Sequence, residues 1–226
     1  MPAWTQLMLD SFWPLLKAGL VFTVPLTLIT FIAGTSLGFV TALVRLYGHW
    51  SLVAVARFYV WLIRGTPLLV QLFLIFYGLP SVGITLDAFT AALIGFTLNV
   101  GAYTSEVIRA TLSAVPRGQW EAAYSIGMSW FQAMRRVILP QAARIAVPPL
   151  SNTFISLVKD TSLAAAVTVP ELFQAAQRIA AATYEPLILY IEAAVIYLVF
   201  SSVLSALQTR LEAKLAGDAT AEETRA

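Results

Sequence analysis

Cysteine is absent from this chain, and histidine occurs once, as His49. There is no thiolate for a disulfide or a metal site, and one imidazole does not build a zinc site, so no metal and no cofactor are expected. Charge is scarce too. Only 12% of the 226 residues are Asp, Glu, Lys or Arg, about half the share of an average soluble domain. A net charge of +2 without any Lys/Arg block excludes a nucleic-acid partner. No G-x-x-x-x-G-K-[ST] stretch occurs, so the chain does not cradle ATP phosphates itself. No Ser/His/Asp or Cys/His set is available for hydrolysis, and an enzyme is not expected. No Lys or Arg precedes Lys17, so the basic n-region of a signal peptide is missing and no cleavage is expected.

What remains is apolar. Hydrophobic residues make up 59% of the chain, and the mean hydropathy of +0.79 points to lipid as the solvent. Crossing about 30 Å of hydrocarbon takes roughly 20 apolar residues in a helix. Five stretches answer that description, which predicts an all-α integral membrane bundle. They are Gly19 to Val44, Phe58 to Leu79, Phe89 to Ile108, Ile145 to Val158 with its flanks, and Tyr184 to Leu207. The second reaches full length only if it includes Arg64, whose stem is expected to snorkel to the interface, with Gly65 and Pro67 bending the chain there. Around this membrane-spanning unit (residues 15–215), residues 1–14 read as an interfacial amphipathic segment and 216–226 as a polar tail. A helix is expected to start near Pro170 in the loop after the fourth span.

Orientation follows from the basic residues. If the N-terminus lies outside, eleven of them fall inside, from Arg45 to Arg225, and two, Lys159 and Arg178, fall outside. That asymmetry predicts an outside N-terminus and a cytoplasmic C-terminus.

One segment breaks the apolar pattern. Residues 118–140, GQWEAAYSIGMSWFQAMRRVILP, form a polar, charge-bearing island within a cytoplasmic loop spanning 111–140. Ala122, Ala123 and Gly127 are small enough for a partner's cleft to close around the helix. Arg117 and Gly118 mark its start, and Glu121 is expected in its first turn, where negative charge is favoured. A solvated amphipathic connector is the plainer alternative on residue types alone.

Spacing supports the first reading. Glu121-Ala122-Ala123, three residues, Gly127, nine residues, then Val137-Ile138-Leu139-Pro140 resembles the cytoplasmic EAA loop of bacterial ABC-importer permeases, with Val137 where the family more often has Ile. RGTPLLVQL (64–72), YGLP (77–80), LNVGAYTSEVIRA (98–110), LPQA (139–142), LVKDTSL (157–163) and VPEL (169–172) follow the same order as in the polar amino acid branch of those permeases. SNTFISLVKDTSLAA (151–165) and GQWEAAYSIGM (118–128) look most like L-cystine permeases. The resemblance spans roughly residues 15–210 and implies a MetI-like ABC permease fold in the bacterial cytoplasmic (inner) membrane. It implies Gly118, Glu121, Ala122, Ala123 and Gly127 as the coupling segment to an ATPase subunit dimer. A second permease subunit, the same or a paralogous chain, and an extracytoplasmic solute-binding protein complete the implied partners.

Polar groups at membrane depth are functional candidates. Gly95, Asn99, Tyr103 and Glu106 recur at i, i+4, i+8 and i+11 on one face of the third span, with Phe96, Val100 and Val107 expected elsewhere. Such a stripe suits the path of a zwitterionic amino acid. Interhelical hydrogen bonding by Asn99, and pairing of Glu106 with Arg109, are the alternatives. Lys159 and Asp160 end the fourth span and either meet substrate at the outer mouth or neutralise each other. Gln71 lies one turn beyond Pro67, where it either joins the path or satisfies backbone groups freed by the proline. Glu192 is a weaker candidate, and His49 beside Trp50 reads as an interfacial anchor. Transport of another polar amino acid or an opine remains open, as does a passive channel or intramembrane scaffold.

Overall fold

The computed structural model describes residues 3–223 in backbone and 4–214 in side chain. Among these residues every element is helical, in keeping with the apolar spans. Helix α1 (Ala3–Ala18) runs through a π turn (Gly19–Thr23) into α2 (Val24–Tyr47). The stretch Trp4–Tyr47 is therefore one apolar run of 44 residues, about 66 Å long at the usual helical rise. That is about twice the hydrocarbon thickness. Residues 3–14 are thus continuous with the first span, and their distal part packs on later helices instead of forming a separate element.

Two helices follow where one bent span was expected. Helices α3 (Trp50–Arg64) and α4 (Leu68–Phe73) meet at 104° across a break of a few residues. Pro67 lacks an N–H, and Thr66 before it is pushed out of the helical region, so the ladder stops at Arg64 and restarts at Leu68. Helix α4 then passes through a π turn (Leu74–Gly78) and a 3₁₀ turn (Leu79–Val82).

Helix α5 (Ala88–Ala114) is capped by Asp87, whose carboxylate accepts from the Thr90 N–H at 3.0 Å. The Thr90 side chain, and then the backbone N–H groups, hold the exposed Asp87 carboxyl below its ordinary pKa. Short helices α6 (Arg117–Ser125) and α7 (Trp130–Ala133) lead through a π turn (Met134–Ile138) into α8 (Leu139–Asp160), a 3₁₀ turn (Thr161–Val167), α9 (Leu172–Thr183) and α10 (Pro186–Glu223). Helix α9 starts close to where Pro170 predicts. Most of the expected tail continues α10, and residues 224–226, like Met1 and Pro2, lie outside the described residues.

Each π turn ends two residues before a proline: Pro25, Pro80 and Pro140. A proline ring collides with the carbonyl four residues back, and those carbonyls belong to Val21, Phe76 and Arg136, all inside the π turns. Widening the ladder to i→i+5 relieves the collision without ending the helix.

Among the described residues, three stretches are long and apolar enough to cross a membrane, Trp4–Tyr47, Ala88–Ala114 and Pro186–Lys214, and the bent α3–α4 pair qualifies if taken as one. The centre of the bundle is the α2–α5 contact. Gly34 and Gly38, four residues apart, let the two backbones approach, as small residues do between helices in lipid. A methyl at Gly34 would stand 2.7 Å from Val100 Cβ, and one at Gly38 would collide with the Thr104 hydroxyl. One apolar core (Leu26, Leu72, Phe96, Leu157, Val167) sits at one end of this pair and another (Ile108, Leu112, Met134, Ile138) at the other. A third joins α1, α9 and α10 through Leu15, Leu172, Ala176 and Ile196.

Candidate functional site

Two places concentrate the sequence candidates. The first is α6. It starts at Arg117 behind Pro116, so Glu121 is its fifth residue and lies beyond the first turn; the dipole argument for Glu121 therefore does not hold. Trp120 packs on the Leu112–Ile138 core, and Ala123 is buried at 3% exposure. Small size at Ala123 thus serves packing within this chain. Gly118, Glu121 and Ala122 form the exposed face. Glu121 makes no hydrogen bond or ion pair among the described residues. Exposed Ile126 and Phe131 extend this face.

Gly127 has its own reason. Its φ of +80° is left-handed. Its N–H donates to the Tyr124 carbonyl at 3.0 Å, and the Met128 N–H donates to the Ala123 carbonyl at 3.1 Å. That pair of bonds is a Schellman stop, which glycine enters without a Cβ penalty. A capping box between Ser129 and Gln132 then restarts the helix, with bonds of 2.9 and 3.3 Å. Trp130 meets Tyr47 edge-on at 5.2 Å, which ties this segment to the end of α2.

The second place is a cavity of about 480 Å³ between α5 and α8, within the size range of small-molecule sites. Asn99, Tyr103 and Asp160 line it, as do Phe96 and Val100, which the helical wheel puts elsewhere. Asn152, Thr153 and Ser156 face it from α8 and were not singled out from sequence. Their signal was available: Asn152, Ser156 and Asp160 repeat at i, i+4 and i+8, as Gly95, Asn99 and Tyr103 do. The Asn152 side-chain oxygen accepts from Gln208 on α10 at 3.0 Å.

The remaining candidates lie around the cavity. Lys159 is exposed and does not line it. Gln71 stands behind Asn99: its oxygen accepts from the Asn99 amide at 3.3 Å, while its own amide donates to the carbonyls of Ile63 and Thr66 at 2.7 and 3.1 Å. Gly95 abuts Leu72, whose terminal methyl would have to shift to admit a Cβ. Glu106 lies one turn past Tyr103 in a cluster of three arginines. Its carboxylate accepts from Arg45 at 2.7 Å and from Arg109 at 2.9 and 3.1 Å, with Arg64 at 3.5 Å. The Arg64 guanidinium sits 5.3 Å over the Tyr103 ring, a cation–π contact.

Elsewhere, Glu192 is buried and accepts a short hydrogen bond from Ser11. Glu171 was not considered from sequence, yet it is fully buried. It caps α9 by accepting from Gln174 N–H at 2.7 Å and takes the Tyr197 hydroxyl at 2.6 Å.

A helical membrane bundle with a polar cavity along its central helices, and an exposed helical segment held at one end, has the architecture of a transport subunit. The chain belongs to the family of binding-protein-dependent transport system inner membrane components, whose model matches residues 34–217. It is a multi-pass inner membrane protein. It is 53% identical over 211 residues to the L-cystine transport system permease protein TcyB of Bacillus subtilis, covering 93% of this chain and 90% of that one. Among solved structures, an amino acid ABC transporter crystallised with histidines superposes with a TM-score of 0.86 at 38% identity, covering 92% of this chain and 97% of that one. An inward-facing MetNI methionine ABC transporter shares the fold, with a TM-score of 0.75 at 20% identity over 89% of this chain and 96% of that one.

Proposed function

We propose that this chain is the permease subunit of an ATP-driven importer for a polar amino acid, with L-cystine the first substrate to test. The observation that carries the coupling role is the open face of α6. Gly118, Glu121 and Ala122 are solvent-facing, and a Cβ at Gly118 or Gly127 would meet nothing within 4 Å. A chain this apolar keeps such a surface in water for a partner. In this reading the partner is a dimer of cytoplasmic ATPase subunits, the membrane unit holds two permease chains, and a binding protein delivers cargo to the outer face. The N-terminus lies outside and the C-terminus in the cytoplasm.

The mechanism is alternating access. ATP closes the ATPase pair, α6 transmits that motion to α5 and α8, and the cavity between them changes the side to which it opens. The cavity suits a zwitterion: Asp160 faces an ammonium, and Asn99, Asn152, Thr153 and Ser156 supply hydrogen bonds. The energy comes from ATP and from docking, because a partner shifts an equilibrium only by its preference between states. L-cystine is favoured by the 53% identity to a cystine permease protein and by the 151–165 motif.

The test is reconstitution of the chain in lipid with its copurifying ATPase and binding protein, measuring uptake of labelled L-cystine against other amino acids. Uptake that requires ATP supports the reading. ATP-driven uptake of arginine, glutamine or an opine instead removes the cystine assignment. Flux without any ATPase returns the chain to a passive channel.

A further inference from the structure

The arginine cluster beside the cavity is larger than one carboxylate requires. Arg45, Arg64 and Arg109 come from α2, α3 and α5, and all three face Glu106. Arg45 and Arg109 make hydrogen-bonded ion pairs with it. Arg64 stands off at 3.5 Å and forms no hydrogen bond among the described residues, although its fork carries five donors. The Nε of Arg45 is buried without an acceptor. Positive charge and N–H donors are therefore left over, and together they call for a further oxyanion.

The cavity has the opposite deficit. It presents one carboxylate, Asp160, with amides and hydroxyls, and none of its lining residues is Lys or Arg. A zwitterionic amino acid needs a cation for its carboxylate as well as an anion for its ammonium. The two deficits meet at Tyr103, which lines the cavity on one side and lies under the Arg64 guanidinium on the other. The Arg64 side chain is 44% exposed, against 14% for Arg45 and 39% for Arg109, and Arg109 is held to Glu106 by two hydrogen bonds that Arg64 lacks, so Arg64 is the member of the cluster free to turn.

We propose that Arg64 is a movable receptor for the cargo carboxylate. It rests against Glu106 when the cavity is empty and turns across the Tyr103 ring to bind the α-carboxylate of an amino acid whose ammonium faces Asp160. Glu106 remains paired with Arg45 and Arg109 throughout, so releasing Arg64 strands no carboxylate. Planarity matters, because a guanidinium binds a carboxylate through two parallel hydrogen bonds and stacks on an aromatic ring while doing so. The assignment rests on the cavity being the amino-acid site.

The experiment measures equilibrium binding of labelled L-cystine and of its diamide, which lacks the carboxylates, to the purified permease–ATPase complex without binding protein. The complex is compared as wild type, Arg64→Gln, Arg64→Lys and Asn99→Leu. Wild type should prefer the free acid by about tenfold or more, the size of a lost charge-assisted contact. Arg64→Gln should reduce that preference to near unity, and Arg64→Lys should restore part of it. Asn99→Leu should weaken acid and diamide alike. A full preference retained in Arg64→Gln overturns the role of Arg64 while an effect of Asn99→Leu leaves the cavity reading standing. No effect of Asn99→Leu, or no binding to wild type, removes the cavity reading and the receptor with it. If Arg64→Gln changes only the response to anionic lipid in nanodiscs, the oxyanion is a lipid phosphate and the proposal is overturned.

Discussion

Gln71 closes the break that Pro67 opens. Its side-chain amide donates to the Ile63 carbonyl at 2.7 Å and to the Thr66 carbonyl at 3.1 Å, both orphaned where α3 stops. With the 104° turn secured, the Gln71 oxygen is left to accept from Asn99. Backbone carbonyls at this depth find little water, so an internal donor is needed.

Replacing that donor should be costly. Gln71→Leu removes it and leaves the half-buried Ile63 carbonyl and the Thr66 carbonyl without this donor, a loss of about 1 kcal/mol. Gln71→Glu keeps the shape but offers no donor when ionised, so it should not rescue. Thermal unfolding midpoints of the purified protein in one detergent check this. Equal midpoints for wild type and Gln71→Leu would mean that the Ile63 and Thr66 carbonyls find other partners.

Gly118 and Gly127 should separate folding from docking. Gly127 is left-handed, so Gly127→Val strains the backbone, whereas Gly127→Asn is tolerated because Asn enters that region. Gly118 is helical with open space around it, so even Gly118→Trp leaves the chain's own packing intact. On the proposed coupling, Gly118→Trp and Glu121→Lys should abolish ATP-dependent uptake while membrane insertion stays normal. Copurification of the ATPase checks this directly; undiminished capture with Gly118→Trp would remove α6 from the interface.

The parts legible in the sequence were those written in local spacing. Four of the five apolar stretches (one of them as the bent α3–α4 pair, while 145–158 inside α8 does not reach membrane-crossing apolarity), the 118–140 island and the helix after Pro170 all depend on neighbours within a few residues. The role of Gln71 as a partner for freed carbonyls was readable because Pro67 lies one turn away. Contacts that arise only when helices meet were not readable. Arg64 scanned as a snorkelling interfacial residue because Glu106, its partner, is more than forty positions away. Ala123 scanned as small for a partner's sake until α6 was seen to rest on the Leu112–Ile138 core. Gly127 matched the family spacing, but its left-handed φ becomes evident only from the backbone. Glu171 was invisible because its partners, Thr23 and Tyr197, come from the turn before α2 and from α10.

Glu171 supplies a pH test. Burial pushes its carboxyl up from the ordinary range, against the lowering effect of the Tyr197 hydroxyl and the α9 N–H groups. A carboxyl whose folded pKa exceeds its unfolded one favours folding most below the unfolded value of about 4.3. That contribution disappears as pH rises through the folded pKa. Wild type should therefore lose stability relative to Glu171→Gln as pH is raised from about 4 toward 7. Paired unfolding curves across that range check the sign. A wild type that gains on Glu171→Gln with rising pH would mean that the hydrogen bonds outweigh burial.

Gly38→Ala tests what holds the two central helices together. A methyl at Gly38 would collide with the Thr104 hydroxyl and come within 2.9 Å of the Gly101 carbonyl and 3.0 Å of the Ser105 nitrogen. Two of those three atoms are backbone, so no rotamer change relieves the contact and α2 must move off α5. Overpacking of this kind costs about 1–3 kcal/mol, and here it also disturbs the level at which Tyr59 donates to the Leu98 carbonyl at 2.6 Å. Gly118→Ala is the control, because it adds the same methyl to a helix in open space, where it should be neutral or slightly stabilising. A lower unfolding midpoint for Gly38→Ala than for Gly118→Ala is the expected result. If the two variants match, the α2–α5 contact is loose enough to absorb a methyl, and the Gly34–Gly38 pair does not set the helix spacing.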